Sequence, residues 1–105
     1  MNLRELLLRD FEIDFPISGG TGNLKGNPIV IHRQNPNDYT SIEYEILKCL
    51  GIGRGIEWNL IQQTVISHND RTLDQLKVET KEVTDSKIIT QTENYYFDIT
   101  ECVNF

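Results

Sequence analysis

The chain has 105 residues, 38% of them hydrophobic and 25% charged, which suits one globular domain and excludes disordered or fibrous classes. Sixteen acidic side chains against ten basic ones leave a formal net charge of −6. A chain of that sign repels phosphate backbones, so direct nucleic-acid binding is disfavoured, while a basic protein partner would be steered towards it.

Met1 to Leu8 holds four leucines but also Arg4 and Glu5, with no small-residue cleavage site after it. It does not read as a signal peptide, and no run approaches the roughly 18 apolar residues of a membrane span. The expectation is a cytoplasmic protein beginning near Met1, with no membrane partner. Leu3, Leu6 and Leu7 share one side of a helix, Leu8 and Phe11 widen the stripe, and Asn2 can cap its start. Ile13 to Ile17 alternates until Pro16 interrupts it, and Ser18 to Gly22 is too glycine-rich for regular structure, so this stretch reads as a loop with buried anchors.

Pro28 to His32 is a short β-branched strand closed by a turn at Asn35-Pro36-Asn37. Thr40-Ser41-Ile42-Glu43 matches a capping box, in which Thr40 and Glu43 reciprocally satisfy open N–H groups. Ile42, Ile46, Cys49 and Leu50 then share a helical face, and Gly51 is suited to end the helix near Leu50. From Gly55 the period becomes two, with Ile56, Trp58 and Leu60 on one face of a strand reaching about Ile66. Ser67 to Asp70 is a polar turn, Leu76 to Lys81 a strand with one wet face, and Thr84-Asp85-Ser86 a second turn. Lys87 to Ile99 is a third long strand. The expected fold is α+β in a single domain spanning 1–105: an antiparallel meander of three long strands plus one short strand, with two helices on one face.

Candidate chemistry is sparse. Gly19-Gly20-Thr21-Gly22 and Gly51-Ile52-Gly53-Arg54-Gly55 fail as phosphate cradles, because Lys25 precedes Gly26 rather than a hydroxyl residue, and the second cluster follows a helix instead of opening one. His32 and His68 are the two histidines, and nothing in their positions makes them converge. His68, Asp70 and Asp74 lack the spacing of a zinc or calcium site. Cys49 and Cys102 stand far apart in a chain without an export signal, so both read as core thiols. No catalytic residue, cofactor or metal is expected.

Adjacent aromatics in a strand face opposite ways; with Tyr95 and Phe97 in the core, Tyr96 is the outward one, between Glu93 and Asp98. Gly19-Gly20-Thr21-Gly22-Asn23, Asn27 to Ile31, Gly53 to Trp58 and Tyr95 to Cys102 together resemble small bacterial proteins that include immunity proteins of contact-dependent inhibition and other polymorphic toxin systems. The resemblance implies a protein that neutralises a toxin domain, and it carries over no residues. It agrees with the charge: carboxylates can fill the phosphate site of a basic nuclease and speed association. The expected partner surface is Asp70, Asp74, Glu79, Glu82, Asp85, Glu93, Tyr96 and Asp98. The alternative is a small enzyme or ligand-binding domain with a pocket between sheet and helices near His32, Arg54 and Glu57. A homo-oligomer built on an exposed sheet edge is a third reading.

Overall fold

The computed structural model describes residues 1–34, 36 and 38–103. Its elements run α1 (Leu3–Phe11), β1 (Ile17–Gly19), β2 (Ile29–Ile31), α2 (Tyr39–Arg54), β3 (Glu57–His68), β4 (Arg71–Val83), β5 (Ile88–Asp98) and α3 (Thr100–Val103). The five strands form one mixed sheet in the order β1-β2-β5-β4-β3. The α+β class and the β3-β4-β5 meander are as expected. Three details differ: there are two short strands rather than one, a third helix, and a parallel β2–β5 pairing at Ile29 beside Phe97 and Val30 beside Asp98.

The extra strand arises inside the glycine-rich tract. Ile17 is buried and pairs with Ile31, and Gly19, at φ 85°, comes so close to β2 that a Cβ there would lie 2.7 Å from the Pro28 carbonyl oxygen. Glycine therefore permits the pairing that its composition argued against. The extra helix follows from Asp98, whose Oδ1 accepts from the Thr100 N–H at 3.0 Å and from its hydroxyl at 2.6 Å, turning the chain out of β5.

Asn2 caps α1 as expected, its Oδ1 accepting from the Glu5 N–H at 2.9 Å. The α2 caps are a correction. Asp38 starts the helix, accepting from the Ser41 N–H and hydroxyl, so Thr40 is no cap and Glu43 is released from a capping role into the core. The helix runs past Gly51 to Arg54, where Gly55 takes the left-handed conformation at φ 68°. Gly51 serves close packing instead: a Cβ there would meet Trp58 Cδ1 at 3.0 Å. Of the turn expected at Asn35-Pro36-Asn37, Asn35 and Asn37 lie outside the described residues.

The β3–β4 turn is tighter than expected. Asn69 and Asp70 both have positive φ, and His68 pairs directly with Arg71, the geometry of a two-residue hairpin loop. The β3 register shifts between Leu60 and Gln62, so beyond this bulge Gln63 and Val65 stand opposite Leu76 and Asp74. The expected alternation through Ile66 is thereby put out of phase.

The core lies on one face of the sheet. Ile17, Ile29, Ile31, Leu76, Val78 and Phe97 meet Ile46, Leu47 and Cys49 of α2, Leu7 of α1, and Ile99 and Cys102 at the C-terminal end. The helices stop short of the far end of the meander. From Glu82 to Ile88 the described side chains are exposed except Thr84, and β3 is exposed along most of its length, with partly buried side chains only at Trp58, Ile66 and His68. The longest molecular dimension is 50 Å.

Candidate functional site

The eight residues expected to form a partner surface do not make one patch. Asp74 is buried on the helix-facing side, where its Oδ2 accepts from Gln63 Nε2 at 2.6 Å. Glu93 is partly buried and holds Arg54 through two bonds of 2.9 Å while accepting from the Thr80 hydroxyl. The Arg54 guanidinium, outweighing a smaller effect of burial, keeps the Glu93 carboxyl below its ordinary pKa. Asp98 is buried and accepts from Arg71 Nε at 2.7 Å. Burial pushes its pKa up, but the bonds from Arg71 and Thr100 outweigh burial and hold it low. These three carboxylates are engaged within the fold.

The others reach solvent in separate places. Asp70 lies at the β3–β4 turn, Glu79 points from the middle of β4 opposite Thr92, and Glu82 and Asp85 occupy the free end of the β4–β5 hairpin. Tyr96 is half-buried opposite Gln75. At the free end, Val83 and Ile88 form a cross-strand pair and remain 69% and 59% exposed. Two large aliphatic side chains held next to each other in water, with Lys81 on the same strand face and Glu82, Asp85 and Lys87 close by in the chain, make a small apolar tip with a rim of mixed charge.

His32, Arg54 and Glu57 do not converge. Arg54 is held by Glu93 and Tyr95, Glu57 pairs across to Lys81, and His32 belongs to a different network. Ser18 Oγ lies 2.8 Å from His32 Nε2, and His32 Nδ1 lies 2.7 Å from Glu101 Oε2. A carboxylate only accepts, so Nδ1 carries the hydrogen, and in the neutral ring Nε2 is the acceptor for the Ser18 hydroxyl. Beside Ser18 is a cavity of about 210 Å³ whose walls include Asn2, Leu3, Arg4 and Gly19. The Ser18 and Glu101 contributions were not legible in the sequence, because Ser18 fell in a presumed loop and Glu101 is 69 positions from His32.

A second unexpected pair is internal. Glu43 is fully buried beside Asp74, and as bare carboxylates neither Glu43 oxygen nor Asp74 Oδ1 has a donor. Burial first, then hydrogen bonding to Asp74 and its negative charge, push the Glu43 pKa up to about 10. Glu43 is therefore protonated at neutral pH and supplies the donor that the pair lacks. Cys49 and Cys102 are buried and not disulfide-bonded, and burial raises both thiol pKa values, which opposes thiolate chemistry. Among the described residues, no three His, Cys, Asp or Glu side chains gather as a metal-ligand set, and no helix is long and apolar enough to cross a membrane.

Comparison of the chain with protein-family models, with curated proteins and with solved structures finds no match.

Proposed function

We propose that this chain is a binding protein that inserts the free end of its β4–β5 hairpin into a basic protein partner, acting in the cytoplasm as an immunity protein against a toxin domain such as a nuclease. The observation that carries the reading is the exposed Val83–Ile88 pair at the free end of the hairpin, where Glu82 and Asp85 stand among Lys81 and Lys87. Binding energy concentrates in apolar anchors that become fully desolvated, and a ring of polar groups around them sets specificity. A projecting hairpin end reaches a concave site that a flat face cannot enter. Its carboxylates would take the positions of substrate phosphates, while Glu79 and Tyr96 lie further along the sheet and Asp70 adds to the long-range field.

The test is binding and inhibition with a basic nuclease domain encoded beside this chain. Val83→Asp with Ile88→Asp should weaken affinity at least about 30-fold, the equivalent of losing a hot spot of about 2 kcal/mol. Glu82→Lys with Asp85→Lys should mainly slow association and flatten its salt dependence. Wild-type protein that neither binds nor inhibits such a domain would overturn the reading, as would unchanged affinity in both variants. The alternative pocket at His32, Arg54 and Glu57 has no support in the geometry, since the three side chains share no partner.

A further inference from the structure

We propose that Ser18, His32 and Glu101 form a nucleophilic relay able to transfer small acyl groups from esters, at a site independent of the hairpin end. The three groups stand in the order that activates a hydroxyl: acid to Nδ1, Nε2 to Oγ, with both contacts under 3 Å. Each comes from a different part of the chain, Ser18 from β1, His32 from the position just after β2 and Glu101 from α3. The β1–β2 pairing and the Asp98-directed turn into α3 bring them together.

The surroundings supply what such a nucleophile requires. The cavity at Ser18 is also lined by Asn2, Leu3 and Arg4, the start of α1. Asn2 caps the Glu5 N–H and its carbonyl accepts from Leu6, which leaves the Leu3 and Arg4 N–H groups without an intrahelical acceptor. Backbone N–H groups at the positive end of a helix are suited to a developing oxyanion. A second donor follows from the β1–β2 ladder. The bonds from His32 N–H to the Pro16 carbonyl and from Gly20 N–H to the Pro28 carbonyl place Ser18 and Val30 in a hydrogen-bonded pair. Alternation then turns the Gly19 N–H towards the open edge of the sheet. At about 210 Å³ the cavity is smaller than pockets for drug-sized ligands, so it suits an acyl group of a few carbons. The Arg4 guanidinium is occupied by Asp14 at 2.7 and 3.2 Å, which favours an uncharged ester.

In the reaction, Ser18 Oγ attacks the ester carbonyl carbon as its proton passes to His32 Nε2, and Glu101 stabilises the imidazolium. The bond to the alcohol oxygen breaks, the alcohol leaves with the proton from Nε2, and acyl-Ser18 remains. Water then attacks the acyl carbon while giving a proton to Nε2; the acid departs and Ser18 Oγ recovers its proton. Ester and water become acid and alcohol, with no other reactant.

The experiment uses the full chain with p-nitrophenyl acetate and a fluorophosphonate probe. Wild-type protein should take up one probe at Ser18, located by peptide mass, and should hydrolyse the ester at least about 100-fold faster than Ser18→Ala or His32→Gln. Glu101→Gln should lose at least tenfold through the wrong imidazole tautomer. Because His32 could itself attack an activated ester, Ser18→Cys provides a second readout. Iodoacetamide should alkylate Cys at this position at least tenfold faster when His32 is present than in the double variant with His32→Gln. Wild-type hydrolysis equal to Ser18→Ala, labelling at another residue, or alkylation indifferent to His32 would reduce the network to a structural staple of α3.

Discussion

Glu43 and Asp98 are both buried carboxyl groups, and they give the protein opposite responses to pH. The Glu43 pKa is raised on folding from 4.5 to about 10, so the folded protein holds a proton that the unfolded chain releases. Its contribution is complete below pH 4.5 and is lost as pH rises towards 10, with a slope of at most about 1.4 kcal/mol per pH unit. Melting temperature should fall between pH 5 and 9, and Glu43→Gln, which keeps a donor facing Asp74, should flatten that slope and melt higher at pH 8. A slope unchanged by the substitution would place the proton elsewhere. The Asp98 pKa is lowered, so its contribution is present above pH 3.8 and lost as pH falls through its folded value. Asp98→Asn should cost about 1–3 kcal/mol at pH 7 and reduce the acid limb of the stability curve. Both carboxylates had signals in the sequence that pointed elsewhere. Glu43 completes a capping-box pattern, yet it also stands three and four residues before Ile46 and Leu47 on the buried stripe of α2. Asp38 supplies the cap, and the stripe decides where Glu43 goes.

At the level of elements, the order of helices and long strands was readable because hydrophobic period and turn chemistry are local. What escaped depended on partners distant in sequence. Ile17–Gly19 becomes a strand only because Ile29–Ile31 lies beside it, and β2 joins the sheet in parallel only after α2, β3 and β4 have intervened. The relay at Ser18 was hidden for the same reason. Gly51 illustrates how a local cue can be correct in residue type and wrong in purpose: a glycine was needed there, to admit Trp58 rather than to end α2. A valine at Gly51 should displace the indole and destabilise the protein by about 1–3 kcal/mol, the usual cost of overpacking. Because Trp58 is the chain's only tryptophan, its emission should shift to the red in the folded variant. An unchanged spectrum with unchanged stability would show that the α2–β3 contact has more room than a 3.0 Å approach allows.

The whole molecule separates its two surfaces along the meander. Ser18 lies beside Val30, which lies beside Asp98 at the end of β5, whereas the apolar tip is at Ile88, where β5 begins. Ten residues of extended chain span about 33 Å, well beyond a Debye length of about 8 Å at physiological salt. Changes at sites so far apart, sharing no partner, should act independently. Ser18→Ala should therefore leave partner affinity within about 0.5 kcal/mol of wild type, and Val83→Asp with Ile88→Asp should leave ester turnover within twofold. Charge distinguishes the two as well: a net charge of −6 makes association with a basic partner slow down as salt rises, while acyl transfer from an uncharged ester should scarcely respond. Measuring both rates from 50 to 500 mM salt on the same preparations checks this directly. If salt slowed both in parallel, or if the tip substitutions abolished turnover, the two surfaces would have to be one coupled site, and the open end of the hairpin could not be treated as a docking element in its own right.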